Sequence, residues 1–246
     1  MNTLLNAILF YSRLPVPRGV ECSDETMSRA LRYLPLIGLM VGALGWGSYA
    51  AAINFLPHNI CIIISMIVMT LSTGALHEDG LADMCDGFGG GYTKEAILRI
   101  MKDSHIGTYG VIGLLLTLLL KYMLLVNIAP ESAGLIILLG SAASRFAPVA
   151  MVRTSTYARS ERSKSSHSAL GISFGGVLLA MATAYLPLTI LGWEFATTYI
   201  GISTFMFVLF RCYIHRHIGG FTGDTLGALQ QISELIFYIC IIAMGI

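Results

Sequence analysis

Residues 109–128 read YGVIGLLLTLLLKYMLLVNI, a run of 20 residues with one charged side chain, Lys121. About 20 consecutive apolar residues are enough for a helix to cross the hydrocarbon core of a membrane. The whole chain shares this character, because 55% of its 246 residues are hydrophobic and only 12% are charged, against roughly 25% in a soluble domain. The composition therefore predicts an integral membrane protein. The net charge of +1 predicts no nucleic-acid partner, since little positive charge is available to bind phosphates.

Six other apolar segments accompany this run, and each is interpreted as a helix because a backbone in lipid must satisfy its own hydrogen bonds. The seven segments cover residues 33–56, 60–76, 109–128, 133–152, 177–191, 199–213 and 229–246. Residues 2–13 and 94–106 are predicted to form interfacial helices. The predicted fold is an all-α polytopic bundle of about seven transmembrane helices plus interfacial helices, in a single integral membrane domain over residues 1–246.

The basic residues predict the orientation of the chain. Thirteen of the fifteen lysines and arginines precede the first segment or lie in alternate connections, whereas the connections around His58, Glu131 and Glu194 contain none. The thirteen are Arg13, Arg18, Arg29, Arg32, Lys94, Arg99, Lys102, Arg153, Arg159, Arg162, Lys164, Arg211 and Arg216. The positive-inside rule then predicts that the N-terminus and the basic connections lie in the cytoplasm. Lys121, within the third segment, is expected to snorkel toward the outer interface.

The densest group of acidic residues lies in HEDGLADMCD, residues 77–86. On a helix, Asp79, Asp83 and Asp86 fall at positions i, i+4 and i+7 and share one face. Like charges on one face repel, so the spacing predicts a divalent metal site, with Mg²⁺ favoured and Mn²⁺ as the alternative. The competing interpretation is a solvated helix end. Asp103, in the following amphipathic segment, is the candidate fourth ligand.

Several other residues are candidates for binding an anionic substrate. The glycines of GFGGG, residues 87–91, permit close approach of the backbone to a ligand, or form a hinge. Arg145 is an arginine within an apolar segment, which indicates either function or pairing with a carboxylate of the bundle. Asp224 follows glycines at the start of the last segment, where backbone N–H groups favour anions; alternatively, Asp224 caps that helix.

Taken together, these motifs resemble one family, the adenosylcobinamide-GDP ribazoletransferases or cobalamin synthases. The matching stretches are SRLPVP at 12–17, HEDGLADMCDGFGGG at 77–91, MKDSHIG at 101–107, SRFAP at 144–148, YAR at 157–159 and GGFTGDTLGA at 219–228. The family often has an apolar residue where Glu78 stands and an arginine where His105 stands. Neither departure changes the Asp79–Asp83–Asp86 spacing.

The resemblance implies an enzyme of cobalamin biosynthesis. Adenosylcobinamide-GDP and α-ribazole, or its 5′-phosphate, would give adenosylcobalamin, or its phosphate, and GMP, with Mg²⁺ as cofactor. Asp79, Asp83, Asp86 and Asp103 would be the catalytic and metal-binding residues. The implied substrate-binding residues are His77, Gly90, Lys102, Arg145, Arg159, Gly220, Thr222, Gly223 and Asp224. Further expected partners are membrane lipid, with a second copy of the chain and other corrinoid-pathway enzymes as candidates.

Two other functions are consistent with buried carboxylates in a helical bundle. A CDP-alcohol phosphotransferase would use similar chemistry, but its DGxxAR pattern has arginine where Asp83 stands. A cation transporter would need acids near the middle of the membrane. The acids of this chain are concentrated at the predicted cytoplasmic ends, which favours a one-sided catalytic site facing the cytoplasm.

Overall fold

The computed structural model describes residues 2–17, 29–159 and 172–246. Three of the basic residues used to predict orientation, Arg18, Arg162 and Lys164, lie outside these ranges. The described residues form α1 (Asn2–Tyr11), α2 (Leu34–Ala52), α3 (His58–Thr73), α4 (Leu76–Gly90), α5 (Lys94–Ile100), α6 (Thr108–Val126), α7 (Pro130–Ala143), α8 (Phe146–Thr154), α9 (Phe174–Tyr185), α10 (Trp193–Ile218) and α11 (Gly223–Met244). Short 3-10 helices cover Leu31–Tyr33 and Leu186–Leu191.

Six helical stretches within these ranges are long and apolar enough to cross a membrane. They are α2 with the preceding 3-10 turn, α6, α7 with α8, α9 with the following 3-10 helix, α10, and α11. Helices α3 and α4 meet the same criterion only as a pair, and they are bent by 86° relative to each other. These helices confirm the predicted all-α polytopic bundle. We do not count α4 as membrane-spanning, because the short helix carries four carboxylates, from Glu78 to Asp86.

The predicted helix bounds were least accurate where polar residues extend an apolar helix. The sequence predicts the sixth segment at 199–213, whereas α10 runs from Trp193 to Ile218, 26 residues. Its last turn contains His215, Arg216 and His217, which remain helical although they carry no apolar signal. In the fifth segment, α9 ends at Tyr185 and Pro187 lies in the first turn of a 3-10 helix, since proline lacks the N–H that would continue an α-helix.

The ends of several helices are held together at the side of the bundle predicted to face outward. The Tyr49 hydroxyl, near the end of α2, lies 2.8 Å from the His58 Nδ1 atom at the start of α3. The same hydroxyl donates to the Pro130 carbonyl at the start of α7 over 3.2 Å. These contacts place two of the connections that lack basic residues next to each other.

The prediction that Lys121 snorkels is wrong. Its ammonium lies 2.8 Å from a carboxylate oxygen of Glu234 in α11, and the two side chains are 6% and 2% exposed. Gln230 and Tyr238 also donate hydrogen bonds to Glu234. The Glu234 carboxylate, on a helix packed against α6, is closer to the ammonium than the membrane surface is. The position of Lys121 along the sequence does not reveal this neighbour.

Candidate active site

Helix α4 carries the acidic residues, and glycines allow it to lie close to two membrane-spanning helices. On the α11 side, a Cβ atom at Gly80 would lie 2.9 Å from the Asp224 carbonyl oxygen. On the α6 side, a Cβ atom at Gly110 would lie 2.9 Å from the Ala82 carbonyl oxygen. Small residues permit this close approach of helix backbones in membrane proteins. Helix α4 therefore packs against the first turns of both α6 and α11.

The three aspartates of α4 differ in their surroundings. Asp79 is exposed, Asp83 is half-buried and Asp86 is buried. Both carboxylate oxygens of Asp86 accept backbone hydrogen bonds, from the N–H of Gly107 over 2.6 Å and from the N–H of Gly110 over 2.8 Å. The carboxylate of Asp86 is therefore directed at α6, whereas those of Asp79 and Asp83 reach the surface.

Asp83 lies at the centre of a concentration of negative charge. Burial raises the pKa of its carboxyl to about 6, and the neighbouring carboxylates act in the same direction. These neighbours are Asp79, Asp224 and Asp86, while the Arg159 guanidinium opposes their effect. Asp224 thus belongs to the same group of acids, although it is separated from Asp83 by more than a hundred residues.

Asp224 forms an ion pair with Arg159. An Arg159 amino group lies 2.8 Å from the Asp224 carboxylate and donates a longer hydrogen bond, of 3.4 Å, to the Met101 carbonyl. Because Met101 follows α5 directly, this single guanidinium connects three parts of the chain. The structure therefore brings Asp224 and Arg159 near Asp79 and Asp83. All four residues are among those that the resemblance assigns to the site.

The cap of α11 is Thr222 and not Asp224. The Thr222 hydroxyl accepts from the Thr225 N–H over 3.3 Å, and the Thr225 hydroxyl accepts from the Thr222 N–H over 2.8 Å. Thr222 is fully buried. A Cβ atom at Gly220 would overlap with the Thr156 carbonyl, whereas a Cβ at Gly223 would meet nothing within 4 Å. Of these candidates, Gly223 is the one with open space beside it.

The hydrogen bonds of Asp103 are local. Its carboxylate lies 2.7 Å from the His105 Nδ1 atom and accepts from the His105 backbone N–H. These bonds lower the pKa of the Asp103 carboxyl. The carboxylate is 59% exposed, and Lys102 beside it is also exposed. Both bonds involve the same Asp103 oxygen, and a ligand role for Asp103 stays a prediction.

The glycine-rich stretch is helical over most of its length. Gly87, Gly89 and Gly90 belong to α4, which ends at Gly90. Cβ atoms at Gly87 and Gly89 would collide with Met101 and Tyr109, respectively. These two glycines serve to pack α4 against its neighbours, while Gly90 is exposed and stays a candidate for substrate binding.

Arg145 lies in the interior of the bundle, 3% exposed. It donates to the Ser141 carbonyl over 2.5 Å and to the Ser141 hydroxyl over 2.7 Å. Glu234 and Glu78 are near enough to act on its charge. His77 is also buried. The printed bonds of Arg145 thus go to Ser141, and its assignment to a substrate phosphate or to a carboxylate of the bundle stays a prediction.

Two buried polar contacts had no counterpart in the sequence-based prediction. The Gln231 amide of α11 donates to Glu78 of α4 over 3.1 Å, and the Lys121–Glu234 pair joins α6 to α11. The available signal was the occurrence of Gln230, Gln231 and Glu234 in an otherwise apolar helix, because polar residues in a spanning helix are rarely without a role.

Within the described ranges, no three His, Cys, Asp or Glu side chains are arranged as a metal-binding group. The charges of Asp79 and Asp224 act on the Asp83 carboxyl, whereas the Asp86 carboxylate is directed at α6. The arrangement joins surface carboxylates, a half-buried acid and a guanidinium at one end of the bundle. The binding of a cation or of substrate phosphates by this group stays a prediction.

Comparisons with known proteins agree with the motifs. An adenosylcobinamide-GDP ribazoletransferase of Vibrio cholerae is 40% identical over 245 residues, which cover 99% of this chain and 94% of the relative. The protein of the same name from Shewanella baltica is 38% identical over 253 residues, covering 100% and 95%. No solved structure matches the chain. The family model for cobalamin-5-phosphate synthase matches residues 3–242, and the chain belongs to this family.

Proposed function

We propose that the chain acts as an adenosylcobinamide-GDP ribazoletransferase in cobalamin biosynthesis. A ribose hydroxyl of α-ribazole, or of its 5′-phosphate, attacks the phosphorus atom that is bonded to the cobinamide. The bond between the two phosphates breaks, GMP leaves, the hydroxyl loses its proton, and a phosphodiester joins the corrinoid to the nucleoside. The family match over residues 3–242 is the observation that carries this proposal.

The acids and the guanidinium at the site suit this reaction. Attack on a diphosphate requires neutralisation of the charge on the phosphates more than covalent chemistry from the protein. Arg159, already held at the site by Asp224, and the exposed Lys102 are the cations that we assign to the phosphates. Asp224 is the group that we assign to accept the hydroxyl proton, because it lies beside both Arg159 and Asp83.

The donor set also fits a divalent metal, which we propose to be Mg²⁺, with Mn²⁺ as the alternative. Asp79 and Asp83 present carboxylates in a strongly negative environment, which a cation would relieve. Mg²⁺ commonly binds one or two carboxylates and completes its coordination with water and substrate phosphates. When bound, it would supply charge stabilisation to the diphosphate and to the leaving GMP. A preformed site with three protein ligands is therefore not required.

We further propose that the site faces the cytoplasm in the bacterial inner membrane, with the N-terminus inside. The distribution of the lysines and arginines supports this orientation. Lys94, Arg99 and Lys102 lie between α4 and α6, in the same part of the chain as the candidate site. A cytoplasmic site would be supplied with soluble nucleotide substrates, and the lipid-facing helices would anchor it.

The test is GMP release by the purified protein in liposomes, from adenosylcobinamide-GDP, with and without α-ribazole. We expect GMP only when α-ribazole is present, and a loss of about a hundredfold or more in Asp83→Asn, by analogy with the removal of one group that stabilises a transition state. Glu194→Gln is the matched control, because this exposed acid lies at the start of α10, among the predicted outer connections. Release of GDP in place of GMP would contradict the proposed bond cleavage.

Two further measurements on the same liposomes, CMP release and metal uptake, separate the two alternative functions. Turnover of a CDP-alcohol with release of CMP, and no GMP from adenosylcobinamide-GDP, would indicate a phospholipid-type enzyme. Metal uptake into the liposomes without turnover of either substrate would indicate a transporter.

A further inference from the structure

We infer that Asp86 is a positioning residue: its carboxylate caps the N-terminus of the spanning helix α6 and so holds α4, with Asp79 and Asp83, in place. This inference replaces the ligand role that the sequence predicted for Asp86. It rests on the proposed function only in assigning Asp79 and Asp83 to catalysis.

Helix α6 has no side-chain cap of its own. Its N-cap residue is Gly107, which has no side chain to accept a hydrogen bond. The first N–H groups of any helix have no partner within the helix, and an N-cap oxygen normally accepts from the third residue. Here the third residue is Gly110, and its N–H donates to Asp86 over 2.8 Å. The carboxylate of another helix therefore performs the function of the missing cap.

The carboxylate accepts a second bond at the same helix end. The Gly107 N–H donates to the other Asp86 oxygen over 2.6 Å, and the side chain is only 8% exposed. A negative charge is also favourable at this position, because the helix dipole is positive at the N-terminus. Both oxygens of Asp86 thus serve α6.

The glycines of α6 are required for this contact. A Cβ atom at either Gly107 or Gly110 would overlap with the Asp86 carboxylate. One turn further, a Cβ atom at Gly113 would lie 2.5 Å from the Cys85 sulfur. Glycines at three-residue intervals therefore form a seam along which α4 lies, with Asp86 at its end.

The orientation of Asp86 separates it from the other two aspartates. Mg²⁺ requires oxygen ligands in a nearly ideal octahedron. Asp79 is exposed and Asp83 is half-buried, so these carboxylates have the freedom to meet a cation. Asp86, by contrast, is buried, and each of its oxygens is held against the end of α6 by a backbone N–H. Its contribution to the reaction is therefore to fix the position of α4.

The experiment compares melting temperatures of purified variants in detergent with EDTA, where no metal is bound. Asp86→Asn should melt roughly 2 to 10 °C below the wild type, because the side-chain amide nitrogen cannot accept the bond that an oxygen accepts. The melting temperature of Asp83→Asn should not decrease, because this change removes repulsion between carboxylates without removing a cap. The melting temperature of Gly110→Ala should decrease as in Asp86→Asn. Its matched control is Gly175→Ala in α9, where a Cβ would meet nothing within 4 Å.

Metal dependence supplies the second measurement. In Asp86→Asn, residual GMP release should be slower but half-saturated at the same Mg²⁺ concentration as in the wild type. The inference is overturned if Asp86→Asn melts like the wild type in EDTA and needs about tenfold more Mg²⁺, because that combination identifies a ligand. Equal melting of Gly110→Ala and Gly175→Ala would also overturn it. If the wild type releases no GMP, the proposed function fails while the melting comparison still tests the cap.

Discussion

Replacing Lys121 with methionine is expected to destabilise the protein, although the change makes an apolar helix more apolar. The substitution keeps most of the length of the side chain and removes its charge. The Glu234 carboxylate, 2% exposed, would then lose a cation 2.8 Å away. Its hydrogen bonds from Gln230 and Tyr238 would remain, so the loss isolates the ion pair.

The size of the effect distinguishes a buried pair from an interfacial one. Removing one partner of a buried ion pair typically costs about 3–5 kcal/mol, because the other charge is left without compensation. An exposed pair contributes about 0–1 kcal/mol. Arg145 also acts on the charge of Glu234 and should compensate part of the loss, which places the expected cost at about 3 kcal/mol. For a chain of this length, that corresponds to a decrease of roughly 6 to 12 °C in melting temperature.

The assay is thermal unfolding in detergent micelles at fixed lipid content. Lys102→Met is the matched control, because Lys102 is exposed and its loss should shift the melting temperature very little. Lys121→Met combined with Glu234→Gln should recover part of the stability, since both charges are then absent. If Lys121→Met melts like Lys102→Met, the buried ion pair is refuted and the lysine lies at the outer interface, as its sequence position indicated.

Three further predictions follow from the same contacts. Arg145→Ala should lower the melting temperature without substrate, and Arg145→Lys should restore little, because lysine cannot reproduce the guanidinium bonds to Ser141; unchanged melting with lost turnover would instead indicate a phosphate contact. Thr222→Ala should cost about 1 kcal/mol in denaturant unfolding, since it removes the cap of α11, and an unchanged midpoint would refute that role. In a variant without native thiols, a single cysteine introduced at His58, Glu131 or Glu194 should react with a membrane-impermeant thiol reagent added outside the cell. Protection of any of the three cysteines would contradict the predicted topology.

Some features of the site depended on local sequence, and these were predictable. Asp79, Asp83 and Asp86 share a helix because their spacing matches the helical period, and α4 contains all three. The apolar segments were recognisable because the hydrocarbon core imposes a minimum length on any helix that crosses it. The motifs at 77–91 and 219–228 also indicated the family, because each is a continuous stretch of the chain.

Other features depend on which helices become neighbours, and no local pattern carries that information. The sequence grouped Asp86 with Asp79 and Asp83, but the packing of α4 on α6 directs its carboxylate to Gly107 and Gly110. The sequence indicated that the Lys121 side chain would extend to the membrane surface, but its ammonium pairs with Glu234 of the neighbouring helix α11. Composition and period thus determined that the chain forms a membrane bundle and which side chains share a helix face. Only the tertiary structure decided which of those charges lie at the surface and which join one helix to another, because the partners of a buried charge are the groups that packing places next to it.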